Sequence, residues 1–136
     1  MSITLSEAER IVHAAQKKAI EMGCRMTIAI VDSRGDLVIL ERMDGSPWRS
    51  VVLAQGKAIA SAAYGLSSSE LEERADRPVM QALMQSHGGL FVPQQGALPI
   101  TKNGTLLGAI GVSGASSQED EVVASAGLVA IGIHTQ

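Results

Sequence analysis

Lys57 stands in a helical stretch otherwise built from Ala54, Ala58 and Ala62. A cation on so small-sided a surface has three uses. It can pair with a carboxylate (Asp44 or Asp120), hold an acidic ligand, or run its stem along the apolar face with its head in water. Arg42 and Asp44 follow a strand pattern where it meets a loop. A guanidinium there suits bidentate capture of a carboxylate, and equally a structural pair with its neighbour. Ser113 and Gly114 end an apolar run, and Ser117-Gln118-Glu119-Asp120 opens a helix. Strand, small-residue loop and helix N-terminus together can hold an anion. Asp120 in a first turn would also favour the helix dipole with no ligand at all. These six residues, Lys57, Arg42, Asp44, Ser113, Gly114 and Asp120, are the candidate ligand-binding set. Their chemistry is that of a small carbonyl or carboxylate compound.

The remaining reactive side chains are scattered. His13 falls on the face of the first helix opposite its apolar stripe, in water or at a subunit boundary. His87 precedes Gly88-Gly89 and could face a pocket, whereas His134 near the end of the sequence is read as inert. Cys24 could ligate or be oxidised, or simply pack. The sequence has no HExxH, CxxC, G-x-S-x-G or P-loop pattern. With three separated histidines and one cysteine, no metal centre of protein ligands alone is expected.

Composition narrows the class. The 136 residues fit one domain, 1–136, that needs no disulfide or metal to fold. Hydrophobic residues make up 46% and aromatics only 2%, so the core must be close-packed Ala, Val, Ile, Leu and Met. The net charge of −3 and the lack of basic runs and stacking rings argue against nucleic acid. The opening MSITLSEAER has no apolar core of a signal peptide, and no run is long enough to span a membrane. The single cysteine suits a reducing compartment. The expected location is the cytoplasm. The apolar surplus leaves surface for subunit contacts.

These side chains must be positioned by a helix and sheet framework. Thr4-Leu5-Ser6-Glu7 is a capping box for a helix from Leu5 to Met22, stopped by Gly23. Strands are expected over Met26–Val31 and Leu37–Arg42, a hairpin about Asp32–Asp36. An Ala-rich helix entered through Pro47 ends at Gly65. Short helices follow, one capped at Ser67 and running to Ala75, the other over Pro78–Ser86. Leu90–Val92 could be a short strand. Ala97–Thr101, with Pro99 marking an edge, pairs through Lys102-Asn103-Gly104 with Leu106–Val112. In that inner strand simple alternation puts Leu106, Gly108, Ile110 and Val112 on one face, and Leu107, Ala109 and Gly111 on the other. Having no polar face, it needs cover on both sides. A closing helix over Gln118–Ile133 would bury Val122, Val123, Ala126, Val129, Ala130 and Ile133. The expected architecture is α+β: a mostly antiparallel sheet, terminal helices on one face and middle helices on the other.

The chain resembles the GlcG/HbpS family, which includes the C-terminal domain of PduO-type proteins. The resemblance rests on Ile28-Ala29-Ile30-Val31-Asp32 with Gly35 and Leu37, on Arg42-Met43-Asp44-Gly45, and on Lys57-Ala58. It continues through Gly96-Ala97-Leu98-Pro99-Ile100 and Gly108-Ala109-Ile110-Gly111-Val112-Ser113-Gly114, then Asp120-Glu121. It departs from the common pattern at Asp36, Ala115 and Glu119. The resemblance implies a profilin-like α/β fold, a central antiparallel sheet of about five strands flanked by helices on both faces, and assembly into dimers or larger homo-oligomers. It implies a small-molecule ligand, with haem or a related tetrapyrrole as the possible cofactor, and an association with diol, glycerol or glycolate utilisation. His13 and His87 are the candidate haem ligands. An accessory enzyme for a small carbonyl or carboxylate metabolite, or a ligand-free assembly subunit, are the alternatives.

Overall fold

A computed structural model describes residues 1–135. The chain runs α1 (Leu5–Glu21), β1 (Thr27–Asp32), β2 (Leu37–Arg42), α2 (Ser50–Tyr64), α3 (Ser68–Glu72), α4 (Pro78–Ser86), β3 (Ala97–Lys102), β4 (Thr105–Ser113) and α5 (Ser117–Val129). The strands form one antiparallel sheet in the order β2-β1-β4-β3.

The described sheet has four strands, not about five. Leu90–Val92 is irregular chain laid against α2. The Val92 N–H donates to the Gly56 carbonyl, and Pro93 has no N–H to continue a ladder. Gly56 lets the segment in close, because a Cβ there would overlap the Val92 side chain.

The two faces are covered as the order of elements predicts. Met26, Ile28, Ile30, Leu98, Ile100, Ile110 and Val112 pack with Ile11, Val12, Ala15, Val123 and Leu128 of α1 and α5. Val31 and Ala109 pack with Ala58, Ile59 and Ala62 of α2, Leu71 of α3, Met80 of α4 and the buried Phe91. Simple alternation fails at Leu107, which joins the α1–α5 side with Ile110. Ile100 pairs with Gly108 but Thr101 with Leu106, so Leu107 is an extra residue that re-aims the strand. A similar register shift occurs at Val38 in β2.

Small residues set the spacing. A Cβ on Gly111 of β4 would overlap the Ala54 carbonyl oxygen and lie 2.9 Å from the Ala58 methyl. Helix α2 therefore rests directly on the backbone of the inner strand.

Helix ends follow local chemistry. Thr4 and Glu7 make the expected reciprocal cap, and α1 stops before Gly23 at φ +71°. In α5 the cap is Ser116 with Glu119, one residue earlier than the sequence suggests, and the helix ends at Val129. Its buried stripe shifts accordingly to Asp120, Val123, Ala124, Gly127 and Leu128, leaving Val122 and Val129 exposed.

The hydrogen bond from the Thr4 N–H, followed by that from its hydroxyl, pulls the Glu7 carboxyl below its usual range. A lowered pKa adds stability above the unfolded carboxylate range, and that contribution is lost as pH falls through the folded value. Thr4→Ala is expected to cost about 1 kcal/mol at neutral pH, with the deficit narrowing in acid. Urea midpoints at the two pH values check this; equal deficits at both would contradict it.

Candidate functional site

Lys57 is buried. Its ammonium, near the middle of α2, donates to Asp120 Oδ2 at 3.0 Å and to the Val112 carbonyl at 3.1 Å. Of the two carboxylates considered for it, Asp120 is the partner. The Ser116–Glu119 cap already serves the α5 terminus, so Asp120 is free for two other bonds. Oδ1 accepts from the Ala115 N–H and Oδ2 from Lys57. Burial pushes the Asp120 carboxyl above its usual range, against the opposing pull of the Lys57 charge.

Gly96 closes over this pair at φ +135°. A Cβ there would lie 2.8 Å from both Lys57 Nζ and the Val112 oxygen. Beside the pair is a cavity of about 260 Å³, whose wall includes Arg49, Ser50, Lys57, Ser113, Gly114 and Asp120. Behind Ser50 lies a buried hydroxyl cluster. Thr27 Oγ1 and Ser46 Oγ are each 2.7 Å from Ser50 Oγ, which donates to the Pro47 carbonyl.

A second, open cleft of about 720 Å³ lies between the end of α1 and the β1–β2 hairpin. Gln16, Ile20, Cys24, Arg25, Arg42, Met43 and Asp44 line it. Gln16 donates to Glu41 Oε1 at 2.6 Å and fixes that wall. The Arg25 guanidinium lies so close to Gly45 that a side chain there would strike it. The Cys24 thiol points between the Met22 carbonyl and Glu119 Oε2, each at 3.7 Å. Burial, reinforced by the Glu119 charge, raises its pKa and keeps it protonated.

The structure therefore divides the six candidate residues. Lys57, Ser113, Gly114 and Asp120 share the small cavity, while Arg42 and Asp44 line the cleft. Arg42 and Asp44 are both exposed, and no ion pair joins them among the described residues. His13 is exposed on α1, three residues before Gln16 and so on the same side of the helix. His87 caps α4, its Nδ1 3.1 Å from the Leu83 carbonyl and its ring 5.7 Å from that of Phe91; it lines neither space. His134 is exposed beyond α5. Sequence reasoning missed Arg25, Arg49 and the Ser46–Ser50 cluster. The available signal was Ser46 and Ser50 four apart across Pro47, which puts both hydroxyls on one side of a helix start. Among the described residues no group of three His, Cys, Asp or Glu could hold a metal ion, and no helix is long and apolar enough to cross a membrane.

Residues 3–129 match the family described as haem degrading protein HbpS-like. The chain belongs to the GlcG/HbpS family. Among its relatives is an uncharacterised 15.0 kDa protein in the dhaT-dhaS intergenic region of Citrobacter freundii. That protein is 27% identical over 128 residues, 93% of this chain and 90% of the relative. A double mutant of HbpS from Streptomyces reticuli superposes with a TM-score of 0.86 at 30% identity, covering 98% of this chain and 89% of that one. The PduOC:haem complex shares the fold, with a TM-score of 0.87 at 24% identity over 99% of this chain and 100% of that one.

The haem implied by the family can be tested against the two spaces. The Lys57 cavity has no His, Cys, Met or Tyr in its wall, and Lys57 is committed to Asp120. A porphyrin does not fit there. The cleft is in the size range of cofactor sites. It presents two arginines for acidic groups and Met43 as a soft donor; His13 lies outside its lining, exposed on α1 three residues before Gln16. This donor set fits.

Proposed function

We propose that this chain is a haem- or tetrapyrrole-binding member of its family, with the group held in the cleft between α1 and the β1–β2 hairpin. The observation that carries the reading is that cleft: about 720 Å³, with Arg25 and Arg42 beside the apolar surfaces of Ile20 and Met43. The arginines would take the propionates as charge-assisted pairs. His13 is the first candidate for the iron, because a protonated Cys24 is a poor ligand and His87 lies elsewhere. Bound haem would supply redox and oxygen chemistry. The haem in the name of the family and the shared fold of the PduOC:haem complex support the reading.

The same proposal keeps the protein cytoplasmic and self-associating, with a link to diol, glycerol or glycolate utilisation. Exposed Ile20, Trp48, Val52, Val122 and Val129 supply apolar surface for subunit contacts. The cleft is open on one side in the single chain, and a second subunit would cover it. The ligand-free assembly alternative is less favoured, because two concave spaces adjoin the candidate residues.

Haemin titration followed at the Soret band tests the proposal. The expected result is a saturable shift, weakened at least about tenfold in the Arg25→Ala/Arg42→Ala double variant and in His13→Ala. His87→Ala should titrate like the parent. No saturable shift, or cleft variants that match the parent, would overturn it.

A further inference from the structure

The Lys57 cavity shares no lining residue with the cleft proposed for haem, and the inference drawn from it does not depend on that reading. Ser113 is the central observation. The residue is 6% exposed and its hydroxyl makes no hydrogen bond to the described residues, yet it is not among the sealed, unpaired buried atoms, so what exposure it keeps opens onto the cavity it lines. It pairs across the sheet with Thr27, so the two side chains share a face. Thr27 reaches Ser50 of α2 on that face, which turns Ser113 toward α2 and the cavity it lines. A hydroxyl that is uncommitted within the protein and opens onto a cavity can bond to a ligand held there.

Its surroundings define what that partner is. The Lys57 ammonium has three hydrogens, of which Asp120 and the Val112 carbonyl take two. Ser117 begins the 13-residue α5, so its N–H has no acceptor within the helix. The charged groups in the wall are Lys57, Arg49 and Asp120: two cations against one carboxylate, a surplus of one positive charge. The Lys57 ammonium and the Ser117 N–H can only donate, the Ser113 hydroxyl and the Gln94 amide can donate as well as accept, and the surplus charge suits a single negative one. The volume of about 260 Å³ is roughly that of eight or nine waters. It admits a short-chain acid and excludes anything with several rings.

We propose that the cavity bounded by Lys57, Ser113, Ser117 and Arg49 is a binding site for a small monocarboxylate. The carboxylate takes the Ser113 hydroxyl and the remaining Lys57 hydrogen, and Arg49 at the exposed mouth draws it in. Asp120 fixes Lys57 and is a positioning residue. A phosphate dianion would leave an uncompensated negative charge in a partly enclosed space, so the site discriminates against it.

Titration with sodium acetate at constant ionic strength, read by amide ¹H–¹⁵N spectra, tests this. Saturable shifts are expected at Gly96 and across Ser113–Asp120. Ser113→Ala should weaken binding about tenfold, the loss of one hydrogen bond to a charged group. Arg49→Ala changes an exposed residue, leaves the fold intact, and should weaken binding several-fold with a reduced salt dependence. His13→Ala should bind acetate unchanged even where it loses haem, which separates the two sites. Shifts that fail to saturate, that chloride reproduces, or that both variants leave unaltered would overturn the proposal. Tighter binding of phosphate than of acetate would overturn its choice of carboxylate.

Discussion

Lys57→Met is expected to destabilise the protein by about 3–5 kcal/mol at neutral pH, because it leaves the Asp120 carboxylate buried with no counter-charge. The Asp120 carboxyl is already raised by burial, and Lys57 is the leading influence holding it down. Without Lys57 it rises further. A carboxyl raised in the folded state contributes stability that is full below the unfolded pKa and is lost as pH rises through the folded pKa. The variant should therefore approach the parent in acid and fall away toward neutrality. The double variant Lys57→Met/Asp120→Asn should recover most of the loss. Its amide keeps an oxygen for the Ala115 N–H and leaves no charge to be buried. Urea unfolding of the parent and the variants across pH decides the matter. A deficit that does not vary with pH, or a double variant no better than the single, would show that the pair is not what Asp120 depends on.

Gly111→Ala should be nearly as damaging, at about 3 kcal/mol or more, through overpacking against backbone. The added methyl would meet the Ala54 carbonyl oxygen and the Ala58 nitrogen at once. Helix α2 would have to lift off β4, carrying Lys57 away from Asp120. Ala58→Gly in the same chain should restore only a fraction, since it removes the methyl contact and leaves the carbonyl in place. A Gly111→Ala protein within about 0.5 kcal/mol of the parent, the ordinary range for harmless surface changes, would contradict the close seating of this helix.

The inner strand was legible because it carries no polar residue from Leu106 to Val112 and so requires cover on both faces. The helix starts were legible from Thr4, Ser67 and Pro78, which act on their own next turn. What was not legible depended on contacts distant in sequence. Nothing in Leu90–Val92 announces that Gly56 will take its hydrogen bond. The extra residue at Leu107 is visible only against β3. The stripe of α5 moved because Asp120 turns inward to Lys57, 63 positions away. That inward turn was among the options read for Lys57, but the sequence alone leaned to a solvated ammonium. Arg42 and Asp44 look contiguous with Lys57 in family-like blocks of sequence, yet the hairpin carries them to the other cleft.

The lateral strands bear on how copies of this chain can join. One border of the sheet is β2, kinked by its register shift and carrying Glu41 and Arg42; the other is β3, with Pro99 in mid-strand. A misaligned ladder on one side and a missing donor on the other make poor templates for a further strand. Growth by end-to-end ribbon extension is thereby discouraged, and multimers of this fold are left to stack through their helical flanks.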